Sequence, residues 1–345
     1  MAIKDNMRKL EKLDSPIDIG DFIIDFGNVN KKKVVFMGTP QFAVPILEML
    51  IENYDVVLVV CQPDKEKDRK GKIIIPPVKQ FALDNDIEVF QPLKIRDDYK
   101  RVLDANPDII ITCAYGQIIP KELLEYPKYG CINVHGSLLP KYRGGAPIHW
   151  ALINGEKETG ITIMYMSEKM DAGDIISQET IKITDDTILD TLFNDMSLLG
   201  AKLLKETLPN IINDTVNRIK QDENKVTFGF NINKQDEIID FSKNVEDVFN
   251  LIRGLNSNPG AYTYYNNKRM KIYRVEKIED NNLKDKSYGK IVKLDKDSFY
   301  IECNGGYIRV LELALEGKKK CLTRDFLNGV NKKELIGSVL KNEKE

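Results

Sequence analysis

The sequence predicts a doubly wound, mainly parallel α/β sheet in its first half and a small antiparallel β-barrel in its second. Three observations carry this expectation. Up to about residue 208, short apolar runs alternate with helix-spaced segments, the pattern of right-handed βαβ crossovers. After residue 236 the runs become short and are broken at close intervals by Gly, Asn and Asp, as in a small barrel. Between them lies a polar stretch rich in Asn, Asp and Lys. With 345 residues, 42% of them hydrophobic, two domains can each bury a core without disulfide or metal staples.

Taken in order, residues 1–32 read as an extension with six basic and six acidic side chains. Val34-Val35-Phe36-Met37 is a buried strand stopped by Gly38-Thr39-Pro40. Phe42 to Ile51 has helical spacing, and Asp55 to Val60 is a second buried strand. Val78 to Leu83 suits a helix, Ile87 to Phe90 a strand, Tyr99 to Ala105 a helix, and Asp108 to Thr112 and Cys131 to His135 two further strands. Thr187 to Leu208 is an amphipathic helix with Pro209 after it. A helix at Val245 to Arg253 precedes strand-like runs at Ala261 to Tyr265, Met270 to Tyr273, Gly289 to Leu294, Ser298 to Cys303 and Tyr307 to Leu313. The expected organisation is therefore an extension (1–32), an α/β domain (33–208), a linker (209–236) and a C-terminal barrel domain (237–335).

Composition excludes several classes. Lys plus Arg is 51 and Asp plus Glu is 53, a formal charge of -2, so the chain is neither a polybasic tail nor an acidic disordered segment. Local basic patches can still serve a nucleic acid. No apolar run reaches membrane-helix length, and no signal-like apolar region opens the chain. A cytoplasmic location is expected. The five cysteines are odd in number and scattered, as for reduced, buried thiols. With only His135 and His149 and no metal-ligand spacing, no metal is expected.

Ligands of doubly wound sheets bind at the carboxyl ends of the strands, and three segments have polar residues there. In Asn133-Val134-His135 the two polar side chains lie two apart and leave one face of a strand. An amide donor beside a titratable base can do chemistry. A satisfied core Asn and His is the alternative reading. Gly136-Ser137-Leu138-Leu139-Pro140 is a turn with an apolar patch suited to a flat ring. Met170-Asp171-Ala172-Gly173-Asp174 is an acidic turn, ordinarily no more than Asx-turn chemistry. A carboxylate near His135 would instead orient the ring and stabilise its cation. Gly38-Thr39-Pro40 lacks the glycines of a dinucleotide fingerprint, and no P-loop occurs. These absences argue against a nucleotide-dependent oxidoreductase. His149, beside Trp150 in an apolar helical context, reads as packing.

The run Asn133-Val134-His135-Gly136-Ser137-Leu138-Leu139-Pro140-Lys141-Tyr142-Arg143-Gly144, with Asp171, resembles the folate-dependent formyltransferase family. Gly38-Thr39-Pro40, Phe42-Ala43-Val44-Pro45, Gln62-Pro63-Asp64 with the basic loop after it, Ile252-Arg253-Gly254-Leu255-Asn256 and Pro259-Gly260-Ala261 extend the likeness from Val34 to about residue 330. Lys70 and Ser257-Asn258 depart from the family pattern. The resemblance implies a Rossmann-like sheet with an OB-like C-terminal domain. It implies formyl transfer from 10-formyltetrahydrofolate to the α-amino group of methionine on initiator Met-tRNA, for translation initiation, without a metal. It implies Asn133, His135 and Asp171 as the catalytic trio. Ser137, Leu138, Leu139, Pro140, Ala114, Tyr115 and Gly116 are implied as the folate lining, and Phe42 as a wall for the methionyl side chain. Residues 65–79 hold Lys65, Lys67, Arg69, Lys70, Lys72 and Lys79 against Glu66 and Asp68, a net charge of +4. Such runs are usually solvated loops. With the family, Lys67, Arg69, Lys70 and Lys72 become tRNA contacts, joined by Lys268 and Arg269 in a second basic cluster. Sugar-amine formyltransferases and formyltetrahydrofolate hydrolases share the trio, and the basic loop disfavours them. A monomer is expected.

Overall fold

The computed structural model describes residues 17–19, 22–24, 31–65, 73–280, 283 and 286–344. The four loop residues Lys67, Arg69, Lys70 and Lys72, expected to grip tRNA, lie outside the described residues. Two short strands, β1 (Ile17–Ile19) and β2 (Phe22–Ile24), pair antiparallel within the expected extension.

The first domain is a seven-stranded sheet. Its strands are β3 (Lys33–Gly38), β4 (Asp55–Val60), β5 (Val89–Phe90), β6 (Ile109–Cys113), β7 (Cys131–His135), β8 (Glu158–Tyr165) and β9 (Ile175–Lys182), in the order β5-β4-β3-β6-β7-β8-β9. The first five in that order run parallel, whereas β8 and β9 are antiparallel. The parallel strands are nearly continuous apolar runs because both faces are covered. On one side, Val34, Phe36, Ile109 and Ile111 meet α1 (Val44–Asn53) and α6 (Leu189–Ile212). On the other, Val35, Met37, Leu58 and Ile110 form a second cluster with Val102 and Leu123, residues of α3 (Lys100–Asp104) and α4 (Lys121–Glu125). Helix α2 (Pro77–Asp84) follows the basic loop, and α5 (Pro147–Ile153) the loop after β7. The winding reverses between β3 and β6, which opens a crevice beyond their carboxyl ends.

The first domain departs from the sequence expectation at several points. Strands β8 and β9 were not anticipated. Their apolar residues share the strands with Thr, Gly, Gln and Glu, so no continuous apolar run marks them. Helix α6 does not stop before Pro209 but continues to Ile212 with the proline inside it. Proline there removes one hydrogen bond from the last turn, while buried Leu208 and Ile211 hold that turn to the core.

The second domain is a curled antiparallel sheet of β10 (Tyr262–Tyr265), β11 (Lys268–Glu279), β12 (Ile291–Leu294), β13 (Phe299–Cys303), β14 (Gly306–Leu315) and β15 (Cys321–Leu322). The order is β10-β11-β14-β13-β12, with β15 on β14. Met270, Ile272, Ile301, Ile308, Val310 and Leu313 point into one core, which α7 (Val245–Gly254) covers with Val248, Phe249 and Ile252. The run expected to end at Tyr273 continues to Glu279, past register shifts on either side of Arg274. Two short helices, α8 (Thr323–Asn328) and α9 (Lys332–Leu335), follow the last strand. The domains meet at α5 and α7. A Cβ on Gly254 would come within 2.8 Å of an Ile153 side-chain carbon, so glycine permits the helices to touch.

Candidate active site

Asn133 and His135 lie two apart on β7, and both side chains leave one face of the sheet at its carboxyl end. His135 is 5% exposed. Its Nε2–H donates to the Tyr142 carbonyl oxygen at 3.0 Å. A carbonyl can only accept, so Nε2 bears the hydrogen and Nδ1 is the ring atom left free of this bond. Nδ1 faces Asp171 Oδ2 at 3.7 Å. Asp171 lies between β8 and β9 with φ 49°, a left-handed conformation that Asp tolerates. The turn needs glycine two residues later, because a Cβ on Gly173 would lie 1.8 Å from the Tyr165 carbonyl oxygen. Asp171 Oδ2 accepts from the Gly144 backbone N–H at 2.8 Å, so the loop after β7 aims the carboxylate.

The Asn133 amide is aimed as well. Its Oδ1 accepts from the Thr112 hydroxyl at 2.9 Å, and Thr112 is its register partner on β6. With the oxygen engaged, the NH₂ end is the one turned out as a donor. Nothing in the local sequence marks Thr112 for this role. It is one polar residue in an apolar strand, and only the β6–β7 register shows its purpose.

The segment expected to be a linker forms a wall of the site. Thr227 O accepts from Arg143 N at 2.9 Å, Arg143 O from Gly229 N at 2.8 Å, and Gly229 O from Ala146 N at 2.8 Å. The Thr227 hydroxyl accepts from Tyr142 N at 2.9 Å. Residues 227–229 thus pair with the loop that holds His135 and Asp171. Gln221 ties together the loop after β7 and the turn that carries Asp171. Its Nε2 donates to the carbonyls of Asp171 and Gly173, each at 2.8 Å. Its Oε1 accepts from Arg143 Nε at 3.0 Å and from a second guanidinium nitrogen at 2.9 Å. The Arg143 guanidinium also bonds Glu223 at 2.8 Å, which lowers the Glu223 carboxyl below its ordinary range. Gln221 was missed at the sequence level because its partners lie about 50 and 78 residues away.

The residues expected to line the folate site divide into surface and support. Ala114 and Gly116 are exposed at the end of β6, and Leu138 and Pro140 are half-buried. Ala114 has φ 47° and Gly116 φ 83°, a sharp turn that places small groups beside Gln62, whose Nε2 donates to the Tyr115 carbonyl at 3.0 Å. Tyr115, Ser137 and Leu139 are buried. The Ser137 hydroxyl is spent on the Lys141 carbonyl at 2.6 Å. Leu139 packs on Met164 and Ile175, and its N–H donates to the Thr162 hydroxyl. These three shape the turn from beneath.

Phe42 is 6% exposed. Its ring meets Phe193 edge-on at 5.2 Å, and its carbonyl accepts from Ser197 at 2.7 Å. His149 packs against the same Phe193 at 5.8 Å, as its apolar context suggested. Burial pushes its pKa down to about 4, against a backbone hydrogen bond at Asn258 that raises it. Lys268 is exposed. Arg269 is half-buried, with its guanidinium over the Tyr262 ring at 4.5 Å. Lys79, counted in the basic loop, is committed to Asp64 at 2.7 Å.

Comparison with known proteins gives the family of the chain. The family description "Formyl transferase" matches residues 31–208, and "Formyl transferase, C-terminal domain" matches residues 231–331. A methionyl-tRNA formyltransferase of Halalkalibacterium halodurans is 49% identical over 312 residues, covering 89% of this chain and 98% of that protein. One of Bacillus subtilis is 47% identical over 303 residues, 87% of this chain and 95% of that protein. A solved N-formyltransferase from Helicobacter canadensis, in complex with folinic acid and dTDP-3-aminofucose, has the same fold. Its TM-score is 0.61 at 22% identity, over 84% of this chain and all of that one. By sequence over nearly its whole described length, the chain belongs to the formyltransferase family.

Proposed function

We infer that the protein transfers the formyl group of 10-formyltetrahydrofolate to the α-amino group of methionine on initiator Met-tRNA. The observation that carries this reading is the trio Asn133, His135 and Asp171, held by Thr112, Tyr142 and Gly144 at the carboxyl end of β7. It sits in a chain at 44–50% identity to several methionyl-tRNA formyltransferases. The folate supplies the formyl group. The small and apolar surface of Ala114, Gly116, Leu138 and Pro140 suits its flat ring.

The incoming amine adds to the formyl carbon, and negative charge develops on the formyl oxygen. The Asn133 NH₂, turned out by Thr112, donates to that oxygen. One such donor is typically worth about 3–4 kcal/mol. His135 carries a proton on Nδ1, the ring atom that Nε2's bond to Tyr142 leaves available, and Asp171 stabilises the resulting cation. As the new C–N bond forms, the amine gives this proton to His135 Nδ1. As the bond to the folate nitrogen breaks, His135 returns a proton to that leaving nitrogen. Phe42, with Phe193 behind it, backs the methionyl side chain. Lys67, Arg69, Lys70 and Lys72 grip the tRNA backbone, with Lys268 and Arg269 on the C-terminal domain. The working division is a catalytic domain at 33–208 and a tRNA-binding domain at 237–335. The protein works as a monomer in the cytoplasm.

The test is an assay with 10-formyltetrahydrofolate and Met-tRNA beside free amino sugars. Formyl-Met-tRNA is the expected product, and His135→Ala should lose turnover by at least about a hundredfold while still binding tRNA. Formylation of an amino sugar but not of Met-tRNA overturns the reading.

A further inference from the structure

Phe228 and Phe230 are 50% and 60% exposed. Their rings stack on each other, with centroids 5.1 Å apart and planes within 4°. The two residues alternate along an extended segment and so share a face. Large apolar side chains side by side on a surface lose their hydration cost only when something covers them, and this pair is unusually flat and parallel. Its position is fixed by the active site. The residue between the rings, Gly229, pairs with Arg143 and Ala146, and Thr227 bonds Tyr142 and Arg143. Tyr142 holds His135 and Gly144 holds Asp171. A Cβ on Gly229 would fall 3.1 Å from Pro147, and the Phe230 carbonyl accepts from Trp150 Nε1 at 2.7 Å. The ring pair is therefore fixed by hydrogen bonds to the loop that holds His135 and Asp171.

The substrate's own chemistry says what must lie there. In an aminoacyl-tRNA only three bonds separate the α-nitrogen from the ester oxygen on the terminal ribose. When the amine reaches His135 and Asn133, the last unpaired nucleotides must cross the surface immediately around the trio. Unpaired bases bind proteins chiefly by stacking on aromatic rings, whatever their sequence. Lys225, three residues before Phe228, carries an exposed side chain in a surface pair with Asp222 at 3.6 Å. A passing phosphate can exchange with such a pair at little cost.

We propose that the Phe228–Phe230 pair is a stacking platform for the unpaired bases at the acceptor end of the tRNA. This rests on the Met-tRNA reading above, and the experiment separates the two. The full chain, with Phe228→Ser/Phe230→Ser and Phe228→Trp/Phe230→Trp variants, is assayed for Met-tRNA kinetics, for folate affinity and for quenching of a 2-aminopurine placed in the acceptor end of the tRNA. The serine pair should raise KM for Met-tRNA about tenfold to a hundredfold and abolish the quench. Folate Kd and thermal midpoint should stay near wild type, and the tryptophan pair should restore both KM and quench. Unchanged KM and quench in the serine pair overturns the platform, as does an equal loss of folate affinity, the mark of a general structural role. No turnover of Met-tRNA by the wild-type protein overturns the functional reading instead.

Discussion

His149 shows how burial decides a residue's part in this molecule. The chain has two histidines, and their surroundings give them opposite work. His135 meets a carbonyl and a carboxylate. His149 meets a phenylalanine ring, and its pKa falls from 6.5 to about 4 because its cation is poorly solvated. Above about pH 6.5 His149 is neutral folded or unfolded and contributes nothing to pH dependence. From there down to about pH 4 the unfolded chain takes a proton that the folded one refuses, so stability falls with pH, by about 3 kcal/mol at full extent. His149→Phe should therefore lose less stability than wild type between pH 7 and pH 5, by about 2 kcal/mol in urea titrations. Equal losses in the two proteins would contradict this. The different surroundings of the two histidines were legible in the sequence, because His135 ends a strand two residues after Asn133 and His149 sits among apolar neighbours. The roles of Thr112 and Gln221 were not, since each depends on a partner brought close by folding.

Among the elements, the segment 216–231 departs most from its composition. Its polar character is that of a linker, yet its polar groups are spent on the loops around Asp171 and Arg143. Composition says how soluble a segment is and not what it bonds. Gln221→Ala removes four hydrogen bonds to buried or half-buried groups at once. It should lower kcat about tenfold to a hundredfold through loss of the Asp171 loop geometry, with KM for Met-tRNA little changed and Gln221→Glu recovering only part. A matching rise in KM would instead make Gln221 a substrate contact. The strands of the parallel sheet were legible because each is a continuous apolar run. Strands β8 and β9 were not: β8 is buried almost throughout but Thr and Gly interrupt its apolar residues, and β9, at the sheet edge, is buried on one side and leaves an alternating and weaker trace.

At the scale of the molecule, two cores are joined by a buried cation. Arg253 on α7 is 2% exposed. Its guanidinium donates to the carbonyls of Thr184 and Thr187, just before α6, and to Asn250 Oδ1 at 2.8 Å. Burial lowers its pKa, against the attraction of Asp185 and Glu246. Arg253→Ala removes the donor that reaches both carbonyls across the domain contact, leaving Thr184 O only its bond from the Thr187 N–H at 3.1 Å. It should destabilise the protein by about 3 kcal/mol or more, visible as a fall in Tm or as two separate unfolding transitions. A Tm within a degree of wild type would show that the other contacts between the domains, among them Lys277–Asp185 and Ser257 N–Asp190, hold it without the arginine.

The wall built by residues 216–231 also bears on where such proteins can be recombined. The two matched family regions end at residue 208 and resume at residue 231, and the interval between them holds Gln221, Thr227 and the ring pair. A chimera spliced at residue 208 would take its second domain from another parent together with a foreign clasp for the loops that carry His135 and Asp171. Spliced at residue 231, it would keep the clasp with the loops it was shaped to hold. The natural seam of this two-domain protein therefore lies some twenty residues beyond the end of its first matched region, on the far side of the segment that closes the site.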